Sequence, residues 1–249
     1  MFFIKSKLIA LIVIIHVFYY RKKANKHEKK IIDACKNYEF STTTEIHLWH
    51  ILSLFKKINK KIIIEDFVEC GVWKGIYLVF FQKLIEHYNL KNSSIYAFDT
   101  YEGMPEPSSL DIAMDGKKMH ERYENLKLGE NTSSWNNTSL NDVEKNYFQN
   151  TLSNKNLISI KGMVENTLVE KKNIPKKISV LKLDTCLYDG TKIELEVLFP
   201  RVHSGGLVII DNYSNFKGVK RAVQEFFAND NDNIIEYHAI LGRVVVIKK

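Results

Sequence analysis

Phe67-Val68-Glu69-Cys70-Gly71-Val72-Trp73-Lys74-Gly75 is the stretch whose reading decides the fold. An apolar run ending in an acid reads as a buried strand, the glycines as a turn, and the apolar sequence after Gly75 as a helix. Gly71 can take a positive φ and places no Cβ in the way of a ligand, while Gly75 lets the next helix lie close to the strand. Such a turn points backbone N–H groups at a small anionic or zwitterionic ligand, although the same pattern suits an ordinary tight strand-to-helix turn. It is not the dinucleotide fingerprint G-x-G-x-x-G, because Trp73 stands where the second glycine is needed. A second strand, Ser94-Ile95-Tyr96-Ala97-Phe98-Asp99, also ends in an acid, one suited to holding a ribose diol.

Outward from these two strands, extended and helical patterns alternate. Strands are predicted over residues 63–69, 95–99, 157–161, 178–184 and 206–211, and helices over 28–60, 77–88, 192–198 and 219–228. A terminal hairpin is predicted from 234–240 and 243–247, turning at Leu241-Gly242. The alternation gives a parallel sheet with helices on both faces and an antiparallel edge. In such sheets ligands bind outside the carboxyl ends of the strands, and Glu69, Asp99, Asp184 and Asp211 all stand there. The polar stretch 108–141 is too long for a plain connection and reads as a lid or acceptor loop, with short helices near 120–127 and 140–148. Trp135 within it either anchors the loop or stacks on a ligand such as a sugar ring.

Residues 98–105, F-D-T-Y-E-G-M-P, resemble the signature of the macrocin O-methyltransferase (TylF-like) family, which uses S-adenosylmethionine. Further matches follow in the family's order: residues 67–75, K-G-M-V-E-N-T-L at 161–168, Leu183-Asp184 with Y-D-G-T-K at 188–192, and S-G-G-L-V-I-I-D-N-Y at 204–213. The resemblance spans about residues 60–249. It implies a class I, Rossmann-like methyltransferase fold: a mostly parallel seven-stranded sheet with helices on both faces and the antiparallel C-terminal hairpin. It implies that Glu69, Gly71, Trp73 and Gly75 hold the methionine part of the cofactor, that Asp99 with Thr100 holds its ribose, and that Glu165 lies near the adenine or acceptor side.

Asp184, Asp211 and Asn212 bring three oxygens from two neighbouring strand ends, a set suited to a hard dication such as Mg²⁺. A bound Mg²⁺ would orient the acceptor and lower the pKa of its hydroxyl. The resemblance implies the same metal site, yet the family's D-G-D is Asp184-Thr185-Cys186 here and its D-D-Y is Asp211-Asn212-Tyr213. Each change removes a negative charge. Asp then Asp-Asn is, however, the ligand pattern of catechol O-methyltransferase-type enzymes, so Asn212 can serve through its amide oxygen. Asp184, Asp189 and His203 are the catalytic candidates, with Lys192 and His238 as further choices of base. The expected activity is O-methylation of a sugar or glycosylated metabolite. Against it stand a non-catalytic or metal-independent family member and a nucleotide-cofactor oxidoreductase or epimerase; the last would want a second glycine in the first turn and a Tyr-x-x-x-Lys pair.

Charge separates the chain into two parts. Of its 36 Lys and Arg, eight lie in residues 1–30 together with a single acid, Glu28; residues 31–249 then hold 28 basic and 28 acidic side chains. The body is formally neutral, which excludes a global electrostatic funnel for nucleic acid. Residues 1–30 are read as a basic, hydrophobic segment and 31–249 as the methyltransferase domain. Within the first, residues 8–20 are mostly apolar, but as a helix they rise only about 20 Å, short of a hydrocarbon core about 30 Å thick. The segment reads as a membrane anchor, an interfacial helix, or a helix packed on the domain or on a second copy in a homodimer. Three cysteines with no C-x-x-C pair point to a reducing cytosol, and the basic clusters to the cytoplasmic face of a membrane.

Overall fold

The structure, a computed structural model, describes residues 2–36, 42–152, 155–230, 232–239 and 241–249. The elements run α1 (Phe2–Lys23), α2 (Lys26–Ala34), α3 (Thr42–Ile58), β1 (Asp66–Cys70), α4 (Ile76–Tyr88), β2 (Ile95–Asp99), α5 (Met119–Leu126), β3 (Lys127–Gly129), β4 (Thr132–Ser133) and α6 (Leu140–Asn150). They continue with β5 (Leu157–Lys161), α7 (Val164–Thr167), β6 (Ile178–Leu183), α8 (Tyr188–Leu198), β7 (Val202–Ile210), α9 (Lys217–Phe226), β8 (Ile234–His238) and β9 (Arg243–Ile247). Residues 37–41, inside the predicted helix 28–60, and Ile240, at the end of a predicted strand, lie outside the described residues.

Seven strands form one sheet in the order β5-β2-β1-β6-β7-β9-β8. β5, β2, β1, β6 and β7 are parallel, and β9 pairs antiparallel with both β7 and β8. The chain leaves β1 toward β2 and later builds outward on β1's other side through β6. That reversal opens a crevice at the carboxyl ends of the central strands. This is the methyltransferase fold expected from the sequence.

Side-chain parity assigns the two faces, because alternate residues of a strand point to opposite sides. Phe67, Val180, Leu207, Ile209 and Val245 pack in a core with α3 and α4, around Phe55, Phe80 and Phe81. Val68, Leu181, Leu183, Val208, Ile210, Val244 and Val246 pack in a second core with α8 and α9, around Leu195, Leu198, Val219 and Val223. By the same parity Glu69, Lys182, Asp211 and Arg243 fall on the α3/α4 side.

α2 and the C-terminal half of α1 belong to this body. Val17, Ile31 and Ile32 are buried in the α3/α4 core, so the predicted boundary after residue 30 falls within α2. The Tyr20 ring lies parallel to Trp49 with centroids 6.4 Å apart, and Arg21 pairs with Glu45 and, at 2.6 Å, with Asp33. Asn25 and Glu28 form a reciprocal capping box at the start of α2. Ile14, Ile15, Phe18 and Tyr19 face outward. Among the described residues no helix is long and apolar enough to cross a membrane.

Candidate active site

The turn after β1 takes its shape from its glycines. Gly71 has φ 81°, and a Cβ there would lie 2.5 Å from the backbone oxygen of Asp184, so only glycine lets the ends of β1 and β6 approach this closely. Gly75 has φ 80°, but its close neighbour is Val143 of α6, 3.0 Å from an added Cβ. The packing that Gly75 serves is therefore against α6, and not only against the strand.

Asp99 closes the turn from the side. Its Oδ2 accepts from the backbone N–H of Val72 at 2.6 Å and of Trp73 at 3.0 Å, and its Oδ1 accepts from that of Tyr101 at 2.7 Å. The Thr100 hydroxyl donates to the Gly103 carbonyl at 2.6 Å, which sets the F-D-T-Y-E-G-M-P loop. That loop packs on the segment carrying Trp135: Met104 N–H donates to the Trp135 carbonyl, and the Ser133 oxygen would lie 2.0 Å from a Cβ on Gly103. Trp135 is buried and lies under the Arg122 guanidinium, 4.1 Å from its ring centroid. It anchors the loop and also lines a cavity beside the carboxyl ends of β1 and β2.

That cavity, about 340 Å³, runs from Gly71 and Asp99 past Met163 and Glu165 to Leu187. Burial raises the Glu165 carboxyl above its usual range. A second cavity of about 210 Å³ opens toward α3 and α4, where Thr44, His47 and Tyr77 meet Asp211. Gly71, Trp73, Asp184 and Asn212 line both. Two cavities thus share one wall, and that wall carries Asp184 and Asn212.

Behind the wall lies a buried charge cluster. Lys182 Nζ is 2.6 Å from Asp184 Oδ2, 3.3 Å from Asp211 Oδ2 and 3.3 Å from Glu69 Oε1, and sits 4.1 Å from the Tyr77 ring centroid. Arg243 Nε is 2.7 Å from Asp211 Oδ1. Both cationic side chains are fully buried. Burial pushes Asp211 up, but Arg243 and Lys182 outweigh it and hold the carboxyl at about 2. Burial raises Asp184 to about 6 against the pull of Lys182. His47 is pressed down to about 3 by burial and then by Arg243, so its ring is neutral.

Burial also pushes Glu69 up to about 8, with Lys182 opposing and Asp184 adding to the shift. The folded protein therefore keeps a proton that the unfolded chain releases near 4.5, and stability falls as pH rises between these values. Glu69→Gln is expected to remove this slope: the wild type should lose on the order of 5 °C more in melting temperature between pH 5 and pH 8 than the variant. The difference between the two proteins isolates Glu69, since His47 acts on both. Parallel melting curves would place the Glu69 proton elsewhere.

The residues present do not fit a Mg²⁺ bound by Asp184, Asp211 and Asn212. Asn212 turns its amide nitrogen, not its oxygen, to Asp184 Oδ1, and its Oδ1 accepts from Asn215 Nδ2 at 2.9 Å. A dication on the same carboxylates would stand within about 5 Å of the Lys182 ammonium, a repulsion of several kcal/mol even at an effective dielectric near 20.

Of the other catalytic candidates, Asp189 is exposed in the first turn of α8 and lines neither cavity. His203 bonds Ser179 and the Ser204 carbonyl at the far end of β7, about 17 Å away along the five residues of β6 that separate the two ends. His238 lies against His50, and Lys192 stands over Tyr188. The structure brings Asp184 to the wall and leaves Asp189 and His203 away from it. Sequence reading missed Lys182, Arg243, Tyr77 and His47. A lysine flanked by Leu181 and Leu183, at the same parity as Asp184, was the available signal.

The model of a family described as macrocin-O-methyltransferase (TylF) matches residues 17–238. Demethyldecarbamoylnovobiocin O-methyltransferase of Streptomyces niveus is 27% identical over 164 residues, which cover 66% of this chain and 58% of that protein. Mycinamicin III 3''-O-methyltransferase of Micromonospora griseorubida is 26% identical over 162 residues, covering 65% and 59%. The chain thus spans less than two thirds of the length of the curated relatives it matches. Among solved structures, the O-methyltransferase NovP superposes with a TM-score of 0.69 at 21% identity, covering 98% of this chain and 99% of that one. The calicheamicin methyltransferase CalS11 gives 0.58 at 16% identity, covering 90% and 91%. These structural likenesses concern the fold.

Proposed function

From the premise that this chain belongs to the macrocin-O-methyltransferase (TylF) family of S-adenosylmethionine-dependent methyltransferases, we propose that it methylates a hydroxyl group of a sugar or glycosylated metabolite. The observation that carries this reading is the wall shared by two cavities, which lets a donor and an acceptor meet at Asp184 and Asn212. The larger of these two cavities suits the cofactor, since the Gly71 turn and Asp99, at the end of β2, both line it. Gly71 and Trp73 would hold its methionine part, Asp99 and Thr100 its ribose, and Glu165 its adenine side; of the other two residues expected to hold the methionine part, Glu69 lines only the smaller cavity and Gly75 lines neither.

S-adenosylmethionine supplies a methyl group on a positively charged sulfur. The protein's part is to hold the acceptor oxygen in line with that carbon and to take up the hydroxyl proton. Bound in the larger cavity, the cofactor would give its methyl group to the acceptor oxygen and keep the C–S electron pair on sulfur, while Asp184 would accept the hydroxyl proton. Asp184 suits that task because it stands at the wall and burial brings its pKa to about 6. The free thiols Cys35, Cys70 and Cys186 accord with a reducing compartment. Metal assistance, expected from the motif pattern, finds no support in the donor geometry.

Calorimetric titration with S-adenosylhomocysteine tests the reading. Asp99→Ala is expected to weaken binding about 10- to 150-fold, the range for loss of a charge-assisted hydrogen bond. Unchanged affinity in a folded variant removes Asp99 from the site. A wild-type protein that does not bind S-adenosylhomocysteine at all removes the proposed function.

A further inference from the structure

We infer that Lys182 and Arg243 stand in for a divalent cation, so that this chain holds its reactive acids with cations of its own and works without a metal. The inference rests on the methyltransferase reading for its chemistry, but its geometry stands apart from that reading. Lys182 Nζ bridges Asp184 Oδ2 and Asp211 Oδ2, and Arg243 Nε takes the remaining oxygen of Asp211. Asp184 and Asp211 face two cations, and the third acid of the cluster, Glu69, 3.3 Å from Lys182 Nζ, adds no charge because burial pushes its carboxyl up to about 8. The remaining oxygen of Asp184 accepts from Asn212 Nδ2, which also lies 3.1 Å from Cys186 Sγ.

Each element contributes through strand parity. Lys182 precedes Asp184 by two residues on β6, Asp211 closes β7 beside it, and Arg243 opens β9, the next strand over. All four side chains therefore converge on the α3/α4 side, under Tyr77. The amide at Asn212 belongs to the same arrangement. An ionised acid at position 212 would leave one negative charge in excess, the charge a dication would answer, whereas the amide donates to Asp184 and adds no charge.

The reaction has little need of a metal for charge. A positive sulfur and the electron-rich acceptor oxygen both move toward neutrality as the methyl group transfers, so the demand is for orientation. Lys182 and Asn212 supply it by fixing both oxygens of Asp184, which leaves that carboxylate one rotamer at the wall. Lys182 and Arg243 are positioning residues, since neither lines a cavity.

The test is a Mn²⁺ titration of the full chain loaded with S-adenosylhomocysteine, with free Mn²⁺ read by electron paramagnetic resonance. The exposed trio Glu106, His120 and Glu124 could hold a metal ion, so the titration uses the Glu106→Gln, Glu124→Gln background. No binding below about millimolar Mn²⁺ is expected, and S-adenosylhomocysteine affinity should change less than twofold in EDTA. Stoichiometric binding at micromolar Mn²⁺ that is lost on Asn212→Ala overturns the inference. Lys182→Met combined with Asn212→Asp should tighten Mn²⁺ binding at least tenfold; a folded double variant without that gain also overturns it. Should the double variant fail to fold, the titration of the native sequence at Lys182 and Asn212 decides alone. Failure to bind S-adenosylhomocysteine would sink the methyltransferase reading, while the Mn²⁺ result on the unloaded chain still judges the cluster.

Discussion

Asp211→Ala is expected to lower the free energy of unfolding by about 3–5 kcal/mol, the cost of leaving buried cations without their partner. Arg243 would lose its only ion-pair partner among the described residues, and Lys182 would keep only Asp184 and Glu69. Both cations are fully buried in the intact protein. Against a typical total stability of about 5–15 kcal/mol, this is a large share. Asp211→Asn, which keeps an acceptor oxygen, should lose less. Urea denaturation checks both, and a change under about 0.5 kcal/mol for the alanine variant would show that the cluster is not coupled to folding.

Gly71→Ala is the second large effect. The new Cβ would meet the Asp184 carbonyl at 2.5 Å, on a backbone already at φ 81°. That carbonyl cannot retreat easily, since Asp184 N–H is bonded to the Cys70 carbonyl at 2.8 Å and Gly71 N–H to the Phe98 carbonyl at 2.9 Å. The clash and the left-handed φ together should cost about 2–5 kcal/mol. Affinity for S-adenosylhomocysteine should fall by about 100-fold or more, because the ends of β1 and β6 must part at the wall the two cavities share. Gly116→Ala is the control: its φ is 92°, yet nothing lies within 4 Å of an added Cβ. It should cost about 1 kcal/mol and leave binding unchanged. Equal losses in the two variants would mean that strain alone, not the close approach, governs Gly71.

The strand ends were legible because apolar runs stop at an acid: Asp99, Asp184 and Asp211 stand at or just past the ends of β2, β6 and β7, whereas Glu69 lies one residue inside β1 and is buried. The direction of β8 and β9 was legible from their spacing around Gly242. The charge cluster was not, because a lone lysine or arginine is read by default as a surface residue. Only the partner strands reveal that Lys182 and Arg243 share a face with two acids. His203 misled for a related reason, since sequence order places it near Asp211 while the strand carries it to the opposite end. Of the three readings of the N-terminal segment, packing on the domain is the one with contacts to support it, and only over part of α1. Its basic C-terminal half packs through Val17, Tyr20 and Arg21, which hydropathy alone does not distinguish from the outward face of Ile14, Ile15, Phe18 and Tyr19.

The place of β9 has a consequence for synthesis. Arg243 follows Asp211 by 32 residues, so at about 5–20 residues per second a ribosome makes it about 2–6 s later. During that interval β7 has an unpaired edge, and Asp211 has only Lys182 to answer its charge. The nascent chain can assemble β5, β2, β1, β6 and β7, but it cannot lock the centre. Completion waits for a strand that slides between β7 and β8 and brings the second cation with it. A pause in translation just before Arg243 would therefore prolong the time for which an aggregation-prone edge is open, at the stage when the rest of the sheet has already been made.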